Sequence, residues 1–471
     1  LDVFAKMHTT ELRKTVLHTD DRRFFALLEL MRRGITVELI HKATKIDVYF
    51  LQKMHHLIKL ERAAKAQNVH SVSFELFQAL KAAGFTDKWL ARAWNCSFET
   101  VWQAREALGI FPTYHTVKAF TETAEKNAVY YYTVWHDDTS DKMQHEKQDK
   151  KVIIIGSGPI QIGQGVEFDY CSVQGIRALQ NLGYETILIN NNPATVSTDY
   201  EFADKLYMEP ITAEDVRHMM EVEQTNDIIV QFGGQTAINL VEELESFGAN
   251  LLGSSLQTID TLEDREEFYR YLQSIDIRHI PGLIANNEAD LYEKAMTIGY
   301  PVLVRPSYVI GGKGMKIIQN EKELGKYIMY HLHSESSYPI LMDAYYPGLE
   351  IEVDVVTDGE QIFIPTIFEH IEKAGVHSGD SMAVTPPVTI AEEMKAEIVQ
   401  STEKIAKGID FKGIFNIQFV LYEDTLYVLE VNPRASRTVP VTSKVTNVNI
   451  IALAAKVLVG AKLQDIVGEK R

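Results

Sequence analysis

Phe415-Asn416-Ile417-Gln418-Phe419-Val420-Leu421-Tyr422-Glu423-Asp424-Thr425-Leu426-Tyr427-Val428-Leu429-Glu430-Val431-Asn432-Pro433 reads as two β-strands and the turn between them. Polar and apolar residues alternate on both sides of Glu423-Asp424-Thr425, as in strands with one face in a core. With those three residues as the loop, Tyr422 faces Leu426 and Gln418 faces Glu430, and such neighbours lie about 5 Å apart at Cβ. Asn432, two residues beyond Glu430, shares that face. A two-residue loop would break this pairing. Three oxygen donors then converge, which suits Mg²⁺ bridging nucleotide phosphates, an ion that takes few protein ligands. Pro433 ends the strand, and Arg434 and Arg437 follow, where they can neutralise charge on a transferred phosphoryl group. The same pattern also describes a solvated polar strand face with an exposed basic turn.

Working outward, the region from about 256 holds further alternating strands on short turns: YPVLVRPS, KIIQN, PILMDAYY, LEIEVDVV and QIFIPTIF. An antiparallel sheet with flanking helices is expected there. Between 151 and 255 the texture differs. VIII before Gly156, TILIN before Asn191, DIIVQFGG and NLLG alternate with helical stretches, which implies a mostly parallel, doubly wound sheet. His136 to Lys151 is polar and aperiodic, and 133–150 reads as a linker. Residues 1–132 read as helices, with segments over Val37–Ala43, Val48–Ala66, Phe74–Ala83, Asp87–Trp94 and Phe98–Leu108, and no proline before Pro112.

Other segments hold candidate ligand groups. Gly156-Ser157-Gly158-Pro159-Ile160-Gln161-Ile162-Gly163-Gln164-Gly165 follows a strand and allows backbone N–H groups to approach a phosphate or another chain. Gln161 stands where a dinucleotide fingerprint needs glycine, and Gln164 where a Walker loop needs lysine. Arg305 ends the apolar strand Val302-Leu303-Val304 and can aim a bidentate donor at phosphate; Gly311-Gly312-Lys313-Gly314 behind it reads as a flap or a plain hairpin turn. Ala344 and Tyr346 turn their backbone polar groups to one edge, able to read an adenine, with Glu350 able to accept from ribose hydroxyls. Gly375-Val376-His377-Ser378 is a loop that can line a nucleotide or simply sit at the surface.

The 471 residues suggest about three domains, and a formal charge of −18 disfavours nucleic acid and anionic membranes as partners. No apolar run reaches the ~18 residues of a bilayer span. Cys96 and Cys171 provide neither a disulfide framework nor a zinc site, and a cytoplasmic setting is expected. Two helices over Asp87–Leu108 mimic a helix-turn-helix, but the second offers only Arg105 as a base.

In this order, GSGPIQIGQGVEFDYCSVQ, NNNPATVSTDYEFADKLYMEP, VQFGGQTAINL, VRPSYVIGGKGM, GVHSGDS and LEVNPRASRTVPVTSK resemble the C-terminal half of the carbamoyl phosphate synthetase large subunit. TDDRRFFALLELMRRG, TKIDVYFLQK and DKWLARAWNCSFETVWQAREALGIFPTY resemble its oligomerisation domain. The resemblance implies a helical oligomerisation domain (1–132), a doubly wound pre-ATP-grasp domain (151–255) and an ATP-grasp domain (256–471). It implies phosphorylation of carbamate by ATP, giving carbamoyl phosphate and ADP for pyrimidine or arginine synthesis. By position, Arg305 would contact phosphate, Ala344, Tyr346 and Glu350 would hold adenosine, and Gly375, Val376, His377 and Ser378 would line the nucleotide. Gln418, Glu430 and Asn432 would bind Mg²⁺ or Mn²⁺, with Arg434 and Arg437 stabilising the phosphoryl group. A fragment is expected, lacking the bicarbonate-phosphorylating half and the regulatory domain; partners implied are that half, a glutaminase small subunit and further copies of the helical domain. Another ATP-grasp carboxylate–amine ligase would share the hairpin but not the helical domain, and a non-catalytic assembly piece would bind no nucleotide.

Overall fold

The computed structural model describes residues 2–118, 129–135, 150–159, 167–199, 201–306, 315–332, 338–376 and 380–467. The chain divides into two compact units, one of Leu1–His115 with Thr133–Met143 and one of Thr116–Tyr132 with Gln144–Arg471.

In the first unit, helices Val37–Thr44, Val48–Lys65, Phe74–Ala82, Asp87–Trp94 and Phe98–Ala107 start where the caps predict. The side chains of Thr36, Asp47, Ser73, Thr86 and Ser97 each accept a backbone N–H of the first turn. Arg105, the base that a helix-turn-helix would offer to DNA, is fully buried and donates to Asp87 at 2.8 Å. The all-helical reading of 1–132 is corrected at its end. Thr113–Lys118 and Val129–Val134 are strands; the second, VYYYTV, is built from the β-branched and aromatic residues that favour a pleated surface. Residues 133 and 134 of the expected linker belong to that strand, and 136–149 lie outside the described residues.

A seven-stranded sheet runs in the order Thr113–Lys118, Val129–Val134, Lys205–Tyr207, Glu185–Ile189, Lys151–Ile155, Asp227–Ile229, Asn250–Leu251. From Val129–Val134 onward its pairings are parallel, with helices between strands, as expected. Two antiparallel sheets follow. The smaller pairs Lys316–Ile318, Val302–Pro306, Ile340–Ala344 and Gly282–Ala285; the larger orders Ala383–Val384, Ile367–Lys373, Leu349–Thr357, Gly413–Tyr422 and Thr425–Asn432.

The expected boundary at 255/256 falls within a shared core. Val152, Ile154, Cys171 and Leu179 pack in one cluster with Val356, Ile414 and the helix Ile450–Leu458. Gln231 staples the two parts: its amide donates to Lys412 O at 2.8 Å and Ser254 Oγ at 3.2 Å, and accepts from Ile414 N at 2.9 Å. Gly413 must be glycine here, because its φ is +109° and a Cβ would stand 2.1 Å from Gln231 Oε1. Among the described residues no single helix is long and apolar enough to cross a membrane.

Replacing Gly413 by alanine is therefore expected to cost about 2–4 kcal/mol in urea unfolding, from backbone strain together with overpacking against a fixed amide. A loss under about 0.5 kcal/mol would show that Gln231 yields freely.

Candidate functional site

The larger antiparallel sheet has one apolar face and one polar face. Ile351, Val353, Val355, Phe415, Ile417 and Phe419 face a core, so the alternating residues Glu350, Glu352, Asp354, Asn416 and Gln418 share the other face. Glu352 pairs directly with Gln418 and Asp354 with Asn416.

The hairpin reaches its expected register by an unexpected route. Tyr422 pairs with Thr425, not Leu426, so the loop is the two residues Glu423 and Asp424, at φ +48° and +55°. That is the paired positive-φ geometry of a tight hairpin turn. An irregularity between Gln418 and Phe419 then leaves Leu429 unpaired, and Gln418 still faces Glu430 while Asn416 faces Asn432. A bulge restores the side-chain phase that the short turn would have broken. Gln418, Glu430 and Asn432 line one cavity of about 350 Å³ together with Glu352, Arg434 and Arg437.

The arginines differ in how they are held. Arg434 donates Nε to Gln235 Oε1 (3.2 Å), Nη1 to Ala435 O (3.2 Å) and Nη2 to Asn432 Oδ1 (3.0 Å), over the ring of Phe168. Burial and nearby Arg437 push its pKa down, against the pull of Glu263 and Glu430. Arg437 makes no side-chain hydrogen bond or ion pair among the described residues, although it lines the cavity.

Arg305, expected to aim a bidentate donor at phosphate, has part of its fork committed within the protein. Its Nη2 donates to Asp343 Oδ2 at 2.6 Å, and Arg265 Nη1 holds the other oxygen at 2.7 Å. Its Nε is buried without a hydrogen-bond partner among the described residues, and its Nη1 lies 3.9 Å from Glu430. Arg305, Arg265, Glu430 and Asn432 border a second cavity of about 320 Å³. Glu430 and Asn432 thus stand between the two cavities. A hollow of about 680 Å³ beside helix Glu392–Gly408 contains none of the candidate residues.

Ala344 and Tyr346 sit in a small apolar cluster with Ile280, Val420, Tyr422, Tyr427 and Leu429. Tyr346 stacks on Tyr422 at 5.1 Å and meets Tyr427 edge-on at 5.0 Å. The expected backbone edge is only half open: Ala344 N donates to Pro281 O, and Tyr346 O accepts from Gly348 N. Val376 is 40% exposed next to Gly375; His377 and Ser378 lie outside the described residues, as do residues 307–314 and most of the first glycine loop (160–166).

Glu350 is 4% exposed. Burial, with Glu352 and Glu430 nearby and His370 opposing, pushes its pKa up to about 7. Burial and Glu352 likewise raise Asp354 to about 6, against hydrogen bonds from Ser436, Thr438 and Asn416. Glu352 and Asp354 were not singled out from sequence. Their signal was the acidic alternation in Glu350-Ile351-Glu352-Val353-Asp354, and Asp343 and Arg265 had none beyond their charge.

The donor set fits a divalent cation of the hard kind. The carboxylate of Glu430 and the amides of Gln418 and Asn432 line one cavity wall. Asn432 donates Nδ2 to Glu430 Oε1 at 3.1 Å while its Oδ1 accepts from Arg434, and no group of three His, Cys, Asp or Glu among the described residues forms a protein cage. That composition suits Mg²⁺, which keeps waters and binds substrate phosphates.

Residues 2–109 match the carbamoyl-phosphate synthetase large chain oligomerisation domain, 148–261 the carbamoyl phosphate synthase preATP-grasp domain, and 264–466 the carbamoyl-phosphate synthase L chain ATP binding domain. The chain belongs to the carbamoyl phosphate synthase large-chain family. It is 50% identical over 466 residues to the arginine-specific large chain of Halalkalibacterium halodurans, covering 99% of this chain and 44% of that one. The corresponding Geobacillus stearothermophilus chain is 51% identical over 460 residues, with 98% and 44% covered. The chain therefore spans under half the length of these relatives. The biotin carboxylase domain of the Hydrogenobacter thermophilus 2-oxoglutarate carboxylase, solved with MgADP and bicarbonate, superposes with a TM-score of 0.53 at 22% identity, over 67% of this chain and 70% of that one. The fold is thus ATP-grasp with a pre-ATP-grasp domain before it, as in the family.

Glu350 holds its proton more tightly folded than unfolded, so stability falls as pH rises from about 4.5 to about 7. The loss is on the order of 3 kcal/mol. Glu350→Gln should remove that fall, making the variant the more stable form at pH 8 and closing the gap by pH 5 in urea titrations. Parallel wild-type and variant pH profiles would contradict it.

Proposed function

We propose that this chain transfers the γ-phosphoryl group of ATP to carbamate, forming carbamoyl phosphate and ADP, the second phosphorylation of carbamoyl phosphate synthesis. The observation that carries this reading is the placement of Glu430 and Asn432 between two cavities, one bordered by Arg305 and the other by Arg434 and Arg437. The family membership supplies the substrate.

In this reading the base packs on the apolar cluster around Ala344 and Tyr346, with Glu350 beside it. Arg305, oriented by Asp343, offers its uncommitted donors to phosphate. Gln418, Glu430 and Asn432 would hold Mg²⁺ or Mn²⁺, which would supply positive charge to offset that of the phosphates. A carbamate oxygen forms the new bond to phosphorus as the bond to the ADP oxygen breaks, so no proton transfer is required. Arg434, fixed by three contacts, and Arg437, with none among the described residues, neutralise the charge on the transferring group. The arginine-specific names of the relatives favour arginine synthesis as the destination. Carbamate would come from a bicarbonate-phosphorylating half fed by a glutaminase subunit, and the exposed Phe24, Phe25, Tyr49 and Phe50 would serve self-association of the helical unit.

The reverse half-reaction tests this directly. The chain should form ATP from carbamoyl phosphate and Mg-ADP, and lose it with EDTA. Glu430→Gln and Arg437→Ala should each lower kcat by about 100-fold or more. Folded protein that binds Mg-ADP yet forms no ATP would overturn the assignment.

A further inference from the structure

We propose that Asp354, which lines neither cavity, is a positioning residue that sets the Arg434–Thr438 turn and so aims Arg437 into the cavity beside Glu430. The inference rests on the phosphoryl-transfer reading above and adds the element that orients its least constrained cation.

Asp354 is 1% exposed and forms no ion pair among the described residues. Four donors compensate its burial. Asn416 Nδ2 (3.0 Å) and Ser436 Oγ (2.6 Å) reach Oδ1; Thr438 Oγ1 (2.7 Å) and Thr442 Oγ1 (3.3 Å) reach Oδ2. A carboxylate is a costly way to fill a core unless such donors converge on it. What they join is specific. Ser436 and Thr438 are the two neighbours of Arg437, and both hydroxyls end on the same carboxylate. Ser436 Oγ also accepts the N–H of Thr438 at 3.2 Å, closing a loop around Arg437.

The other end of the turn is fastened by the main chain, Arg434 N to Asn432 O (2.8 Å) and Ala435 N to Gln231 O (2.9 Å). Residues 434–438 thus have fixed ends although no regular helix or strand holds them. Asn416, which also donates to Glu352 at 2.8 Å, ties the same carboxylate to the strand bearing Gln418. One buried group therefore registers the turn against the hairpin. The guanidinium of Arg437 has no partner among the described residues to orient it, so its aim depends on the backbone beneath it.

The test is a double-mutant cycle in the intact chain, read as ATP formation from carbamoyl phosphate and Mg-ADP. Asp354→Asn should lower kcat about 100-fold, the scale of a small misplacement, with KM for Mg-ADP within about threefold. In an Arg437→Ala background it should lower kcat less than about threefold further. Additive losses, or a loss confined to KM, would overturn the proposal. Ser436→Ala serves should Asp354→Asn not fold, and is expected to lower kcat about tenfold with the same non-additivity. Thr442→Val removes a donor to Asp354 without touching the turn and should leave kcat within about twofold; a loss equal to that of Ser436→Ala would mark the network as merely structural and sink the idea. If the wild-type chain forms no ATP, the functional reading fails separately. A crystal structure of Asp354→Asn or Ser436→Ala then decides: a displaced 434–438 turn over an unchanged hairpin supports positioning, and an unmoved turn refutes it.

Discussion

The site depends on one feature of β geometry, the phase of two strands across a hairpin. Side chains alternate with period two, so without the bulge Glu430 and Asn432 would fall to the core face of the sheet, out of register with Gln418 and Asn416. The turn at Glu423-Asp424 is one residue shorter than the pairing of Gln418 with Glu430 requires, and the bulge at Leu429 restores the phase. The core on the opposite face makes this arrangement rigid, because Ile417, Phe419, Val428 and Val431 are all buried there.

Around that hairpin the charges are arranged in opposition. Glu350, Glu352 and Asp354 lie along one strand, while Arg305, Arg434 and Arg437 approach from neighbouring elements. Burial disfavours both signs, and it raises Glu350 and Asp354 while lowering Arg434. The acidic net charge of the chain does not forbid local cations: Arg434 and Arg437 border one cavity with Glu352 and Glu430, and Arg265 and Arg305 border the other with Glu263, Asp264 and Glu430. Fixed donors in a confined cavity are also the arrangement in which charge stabilisation is strongest.

Much of this was legible in the sequence because it rests on periodicity. The parallel and antiparallel sheets and the capped helices follow from alternation and caps, whereas Gln418 meets Glu430 only because a bulge offsets the short turn. The loop length was misread: Thr425 pairs as part of the strand, and nothing in the alternation announced a compensating bulge. Arg305 was singled out, but its clamp by Asp343 is a contact between residues 38 apart in sequence, which no local pattern encodes. Asp354 was overlooked for the same reason. As one acid in an alternating strand it carries no local mark, and its place is set by the return of Ser436 and Thr438 from 82 and 84 residues further on. The strands at 113–118 and 129–134 were hidden by the helical texture before them.

The proposed site puts a divalent cation on the 418–432 hairpin, where phosphoryl transfer would occur. Crystals of the chain grown with ADP and Mn²⁺, and read by anomalous scattering, address it most directly. A manganese peak is expected within coordinating distance of Gln418, Glu430 and Asn432, with nucleotide phosphate between it and Arg305. Bound nucleotide with the metal elsewhere, or nucleotide lying away from the hairpin, would contradict it.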